Sequence, residues 1–224
     1  KFFLKEEPSA KRYIKPLLSA YEFLNGEKRW CLWLVGADPA ELKKMPKVLE
    51  RIEIVKNHRS KSNREATKKL AAFPSLFGEI RQPTTNYILV PRHSSENRMY
   101  IPMGFFNPTN IASDSCLFVA NASMYHFGIM QSLIHMIWVK YTCGRIKSDF
   151  RYSNETVYNN FPWPENPTGK QKEVVENGAQ AVLDARAKYP ESSLADLYDP
   201  NTMPPDLVKA HQALDKAVDL CYRP

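Results

Sequence analysis

Seven consecutive residues, Arg92, His93, Ser94, Ser95, Glu96, Asn97 and Arg98, carry side chains that hydrogen-bond. An Arg guanidinium can give two bonds to guanine O6 and N7, and an Asn amide can read adenine. A Glu carboxylate can accept from cytosine N4, and a Ser hydroxyl can hold a base or a phosphate. The segment therefore has the chemistry of a base-reading loop. It equally has the chemistry of an ordinary hydrophilic hairpin tip, with Glu96 and Arg98 paired to each other. A second cluster, Arg145, Lys147, Asp149, Arg151 and Tyr152, can grip a phosphate or form a buried Arg–Asp network that fixes a junction.

Charge is distributed unevenly. Between Pro39 and Ala72 stand ten Lys and Arg against four Glu, net +6 of the chain's +7. From Glu165 to Pro224 seven basic residues face ten acidic ones, net −3. A localised basic field is the footprint of a polyanion partner, most often nucleic acid, although a Lys-rich helix face can also be plain solvated surface. The candidate phosphate ligands are Lys56, Arg59, Lys61, Arg64, Lys68 and Lys69, with Arg145, Lys147 and Arg151 from the second cluster.

Bond-making chemistry is harder to assemble. The sequence lacks G-x-G-x-x-G, a Walker A loop, H-E-x-x-H, H-x-E with P-C-x-x-C, and G-x-S-x-G. Amino-group DNA methylases use an Asp/Asn-Pro-Pro-aromatic tetrad, and Asn107-Pro108-Thr109-Asn110 lacks both the second Pro and the ring. Glu41-Leu42-Lys43 supplies the Glu-x-Lys of a metal-dependent nuclease, but its upstream acid, Asp38, sits where a helix N-cap belongs, ahead of Pro39. Met124, Met130 and Met136, with His126 and His135, read as helix core.

The 224 residues and 25.8 kDa can bury a real core, as one large domain or two small ones. Cys31, Cys116, Cys143 and Cys221 have no C-x-x-C spacing, so buried free thiols in a reducing cytoplasm are expected, with no zinc site. No signal peptide opens the chain, and Phe127–Tyr141 is too short and too polar to span a bilayer, so no membrane role is expected. The start without Met and the abrupt end point to a fragment.

The elements that must position these groups are mixed. Tyr13–Leu24 reads as weakly helical around Pro16, Arg29–Val35 as a buried strand, and Lys47–Leu70 as one long helix or two. Val48, Ile52 and Val55 make one apolar face there. Thr85–Val90 and Arg98–Met103 read as two strands of a hairpin with the Arg92–Asn97 loop between them. Ser115–Ala120 reads as a third strand. A helix follows over about Tyr125–Gly144, then two more over Gly169–Lys188 and Leu207–Tyr222, joined by a Pro- and Asp-rich turn.

Several distinct long phrases along the sequence are not explained by composition. They include Phe23-Leu24-Asn25-Gly26 through Trp30-Cys31-Leu32-Trp33-Leu34, Leu76-Phe77-Gly78-Glu79-Ile80-Arg81-Gln82-Pro83, and Val90-Pro91-Arg92-His93-Ser94-Ser95-Glu96. Gly144-Arg145-Ile146-Lys147-Ser148-Asp149-Phe150-Arg151-Tyr152-Ser153, Tyr158-Asn159-Asn160-Phe161-Pro162-Trp163-Pro164 and Leu194-Ala195-Asp196-Leu197-Tyr198-Asp199-Pro200 follow. In order and spacing the chain resembles the C-terminal part of the MmeI-like, type IIL DNA methyltransferases. The resemblance implies a target recognition domain followed by a helical domain. It also implies an upstream methyltransferase domain, absent here, that binds S-adenosylmethionine and methylates adenine N6 in a short asymmetric site of double-stranded DNA. Some members add a nuclease domain. By resemblance the Arg92–Arg98 loop approaches DNA, with Glu96 and Arg98 as base readers. The family often has a further basic residue in this loop, where this sequence has Asn97.

The expected fold class is α+β: a recognition domain over residues 1–143 and a helical C-terminal domain over 144–224. The expected function is sequence-specific duplex recognition, with phosphates held by the basic segment and bases read by Arg92–Arg98. No catalytic residue, cofactor or metal is expected within these residues. S-adenosylmethionine belongs to the missing domain. The competing class is a protein-interaction module with a basic surface, and a third is an independent enzyme with an unfamiliar site.

Overall fold

A computed structural model describes residues 2–223. In chain order the helices are α1 (Phe2–Glu6), α2 (Ala20–Asn25), α3 (Pro39–Leu42), α4 (Pro46–Ser60), α5 (Glu65–Lys69), α6 (Met124–Met130), α7 (Leu133–Thr142), α8 (Gly169–Ala187), α9 (Leu194–Leu197) and α10 (Pro205–Tyr222). The strands are β1 (Ile14–Leu18), β2 (Trp30–Leu32), β3 (Tyr87–Pro91), β4 (His93–Ser94), β5 (Gly104–Phe106), β6 (Ile111–Ala112), β7 (Cys116–Ala120), β8 (Gly144–Ile146) and β9 (Asp149–Arg151). The chain is α+β, with a helical C-terminal region. It divides into two compact units. One holds the residues up to Leu17 with Arg29–Gln82, and the other holds Leu18–Lys28 with the residues from Pro83 onward.

In the first unit β1 pairs antiparallel with β2, setting Ile14 opposite Leu32 and Pro16 opposite Trp30. The helix expected at Tyr13–Leu24 is therefore a strand up to Leu18. Pro16 removes a donor and biases Lys15 away from helical backbone, while the Leu17 N–H bonds the Arg29 carbonyl at 2.9 Å. β2 is shorter and more open than the buried strand expected, with Trp30 59% exposed. The core of this unit is Ala10, Leu34, Met45 and Val48, with Ile52 partly buried against them. Pro46 opens α4 at a position that needs no N–H donor. The basic segment forms two helices, α4 and α5, with a break between them.

In the second unit the apolar run Tyr-Ile-Leu-Val-Pro of β3 is fully buried because β3 is a central strand, flanked antiparallel by β5 and β7. The hairpin partner expected at Arg98–Met103 does not form. Pro102 has no N–H for a ladder, and neighbouring carbonyls serve side chains instead. The Ile101 carbonyl accepts from Gln131 Nε2 at 2.6 Å, and the Met103 carbonyl accepts from Arg186 Nη1 at 2.7 Å. Gly104–Phe106 takes the edge position beside β3.

The single helix expected over Tyr125–Gly144 is two. Gln131 is buried with its amide turned to Ile101, and Ser132 caps α7. α8 lies close to α6: a methyl group on Gly128 would stand 2.7 Å from Val175 Cγ1 and 3.2 Å from the Val175 carbonyl oxygen. One apolar core runs from Ile88 and Val90 through Phe127, Ile129 and Val139 to Val175, Val182, Leu207, Leu214 and Val218. A polar chain is buried within it. Arg186 donates to the Tyr198 hydroxyl, the Met103 carbonyl and Gln131 Oε1, and Tyr198 meets His211 Nε2 at 2.8 Å. His211 stacks on Tyr100 at 3.9 Å, and the Tyr100 hydroxyl bonds Asp215 at 2.6 Å. Burial drives His211 down to about 3 and holds it neutral.

Candidate nucleic-acid interface

The two polar clusters of the sequence meet in one three-stranded sheet, although Tyr152 turns inward and is buried. β4 leaves the buried strand β3 at Arg92, whose N–H bonds the Ser115 carbonyl at 2.9 Å and whose carbonyl accepts from Tyr152 N at 2.7 Å. β4 then pairs with β9, His93 opposite Arg151 and Ser94 opposite Phe150, and β9 pairs with β8. Arg92–Asn97 is thus not a hairpin tip between β3 and its neighbour. It is an edge strand and turn held against the β8–β9 hairpin. The Glu96 N–H reaches Asp149 Oδ1 at 3.3 Å, and Phe150 is buried beneath.

The side chains on this surface differ in freedom. His93, Glu96, Asn97, Lys147 and Arg151 are exposed, Arg92, Ser95 and Arg98 are half-buried, and Ser94 is buried. Arg98 does not pair with Glu96. Its Nη1 approaches Ser94 Oγ at 3.4 Å, and its Nε is buried with no hydrogen-bond partner. Burial lowers the Arg98 pKa, opposed by Asp199 and then Asp149. Arg92 Nε is likewise buried without a partner. Arg145 lies over the Phe150 ring at 4.3 Å, donates to the Ser148 carbonyl at 2.7 Å, and stands 3.8 Å from Glu96. Lys147 turns the two-residue hairpin with a positive φ of 55°, which leaves its ammonium at the tip.

A pocket of about 360 Å³ adjoins the loop, lined by Ser95, Asn97, Arg98, Asp199, Pro200 and Asn201. The last three were legible in sequence only as a turn. Nothing in Asp199-Pro200 signals that the turn meets a loop a hundred residues upstream.

The basic segment is a separate feature, in the first unit. Lys61, Arg64 and Lys69 are exposed and make no ion pair among the described residues. Lys56 lies 3.8 Å from Glu53 and Lys68 lies 2.8 Å from Glu65, both exposed pairs one helical turn apart. Arg59 differs from the rest. Its guanidinium donates to the carbonyls of Leu70, Phe73 and Leu76 at 3.1, 2.9 and 2.8 Å, so it ties the end of α4 to the chain beyond α5.

The enzyme-like fragments have local structural roles. Asp38 accepts the Ala40 N–H at 2.9 Å as the N-cap of α3, and Glu41 pairs with Arg12 and with the Tyr13 hydroxyl. Asn107 Oδ1 accepts from the Thr109 and Asn110 side chains and the Thr109 N–H, which closes a local turn. His135 is buried against the Tyr152 hydroxyl at 3.0 Å and His126 caps α6 at Ser123. Cys116 is a buried thiol pushed up to about 12, while Cys31, Cys143 and Cys221 are only partly buried. Among the described residues no group of His, Cys, Asp or Glu is placed to hold a metal, and no helix is long and apolar enough to cross a membrane.

Two family models match the chain in succession: MmeI, target recognition domain, over residues 1–165, and MmeI, C-terminal domain, over residues 167–224. A curated relative, DNA methyltransferase A of Bacillus subtilis (strain 168), is 42% identical over 220 residues, 98% of this chain and 25% of the relative. A solved structure described as the type IIL restriction-modification enzyme MmeI in complex with DNA is similar with a TM-score of 0.95 and 46% identity. That likeness covers 99% of this chain and 29% of the MmeI chain. The chain therefore spans less than a third of the length of either relative.

Proposed function

Because the chain belongs to the family of MmeI target recognition domains, continued by an MmeI C-terminal domain, we propose that it is the sequence-reading part of a DNA adenine methyltransferase. In this reading the protein recognises a short double-stranded site, and a methyltransferase domain of the same polypeptide supplies S-adenosylmethionine and transfers its methyl group to adenine N6 in the cytoplasm. The residues described here hold and read DNA and make or break no bond.

The observation that carries this reading is the pairing of β4 with β9. It brings the exposed His93, Glu96 and Asn97 and the half-buried Arg98 beside the exposed Arg145, Lys147 and Arg151 on rigid backbone, which suits base edges and the phosphates beside them. Lys61, Arg64 and Lys69 are free to neutralise further phosphates, and Lys56 and Lys68 can exchange an exposed carboxylate for one. Arg59 has three of its five donors committed to carbonyls and contributes field more than contact. Residues 1–143 carry recognition, and residues 144–224 add the β8–β9 hairpin and the helices that brace it.

Duplex binding by the full-length protein across a salt series tests this. Affinity that falls steeply with salt, for cognate and random duplex alike, supports phosphate neutralisation beneath base reading. Binding indifferent to salt, or to duplex DNA altogether, overturns it.

A further inference from the structure

The pocket beside the reading loop is built from both ends of the second unit: Ser95, Asn97 and Arg98 on one wall, Asp199, Pro200 and Asn201 on the other. The Asp199 turn is fixed. Its Oδ1 accepts the Asn201 N–H at 2.8 Å, and its carbonyl accepts from Thr202 N at 3.1 Å and Met203 N at 2.9 Å. One residue before it, Tyr198 is buried by Arg186 and His211. Arg98 faces this rigid turn with Nε partnerless and with only a 3.4 Å approach from Nη1 to Ser94.

A guanidinium has two separable properties. Its charge attracts phosphate from any sequence at range, and its planar fork of donors matches two acceptors on one base edge. A fixed carboxylate nearby cancels much of the first and leaves the second. Resting on the reading that the Arg92–Arg98 loop meets DNA, we propose that Asp199 is a positioning residue for Arg98. It suppresses phosphate binding by Arg98 and holds the guanidinium for the O6 and N7 edge of a guanine entering this pocket. The C-terminal domain then contributes directly to specificity, through one turn, besides bracing the recognition domain.

The test uses the full-length protein with Arg98→Ala, Asp199→Asn and Asp199→Glu. Asn at 199 keeps an oxygen for the Asn201 N–H and removes only the charge, so its thermal unfolding should match the parent. Selection from random duplexes gives the preferred site, and a non-cognate duplex gives background affinity. Arg98→Ala and Asp199→Asn are expected to lose preference at the same base pair, roughly tenfold to hundredfold. Asp199→Asn should also bind the non-cognate duplex several-fold more tightly, and Asp199→Glu should restore both properties. Unchanged preference and background in Asp199→Asn, or loss at every position, overturns the proposal. A parent that selects no site at all sinks the reading of the loop as well. A parent whose site survives both Arg98→Ala and Asp199→Asn sinks this proposal alone.

Discussion

The Glu96 carboxylate and the Arg145 guanidinium stand 3.8 Å apart, one on the turn after β4 and the other on β8, the two strands that flank β9. Both side chains are about two-fifths exposed, so the pair adds little to stability. It does cover Arg145. Glu96→Gln should therefore change unfolding free energy by about 0.5 kcal/mol or less, while binding to random duplex tightens as Arg145 is released. Urea titration and a filter-binding assay read the two effects separately.

Arg59 and its basic neighbours should respond oppositely to truncation. Arg59→Ala removes three charge-assisted bonds to the carbonyls of Leu70, Phe73 and Leu76. A loss of about 2–3 kcal/mol in urea unfolding is expected, with Arg59→Lys recovering little, because an ammonium lacks the fork. Lys61→Ala with Arg64→Ala should leave stability within about 0.5 kcal/mol and lower the slope of log affinity against log salt by about two. An unchanged slope would remove both residues from the phosphate contacts.

Arg186 joins Met103, Gln131 and Tyr198 in the buried network. Arg186→Met should cost about 2–4 kcal/mol by thermal unfolding, since it strands several buried polar partners. Arg186→Lys should be nearly as damaging, because one ammonium cannot span those acceptors.

Acid should loosen the second unit. Burial lowers His211 to about 3 and His135 to about 4, against 6.5 for a free imidazole. Between those values the unfolded chain binds the extra proton, so stability is complete above about pH 6.5 and is lost as pH falls towards 4. A loss on the order of a few kcal/mol is expected over that window. Tyr152 and Tyr198 hold the two imidazoles. His211→Gln should flatten part of the slope, and a profile identical to that of the parent would rule His211 out as a source.

Local signals in the sequence were reliable where one element decided the outcome. The apolar run of β3, the N-cap at Asp38, and the long patterns of α8 and α10 all stand close to where periodicity and caps put them. The failures share a cause, which is partners far along the chain. Arg98–Met103 has strand-like residues, yet its carbonyls are taken by Gln131 and Arg186. The Tyr125–Gly144 pattern is helical throughout, yet buried Gln131 ends one helix and Ser132 starts another.

For the site, residue types identified the Arg92–Arg98 and Arg145–Arg151 clusters but not their union, which rests on β4 finding β9. A count of charges likewise ranked Arg59 with Lys61 and Arg64. The direction in which the Arg59 guanidinium points is set by the carbonyls of the chain beyond α5, and composition carries no trace of it. Asp199 was readable only as part of a turn, and its place opposite Arg98 depends on packing of the helical region.

The most direct test of the central claim compares the DNA site preferred by the full-length protein with that preferred by a variant carrying Glu96→Ala and Arg98→Ala together. The variant should still bind duplex DNA with a salt slope no shallower than the parental one, and keep most of its site, but accept any base pair at one or two positions. A variant whose preferred site matches the parental one at every position would contradict the central claim, because the Arg92–Arg98 loop would then not be reading bases.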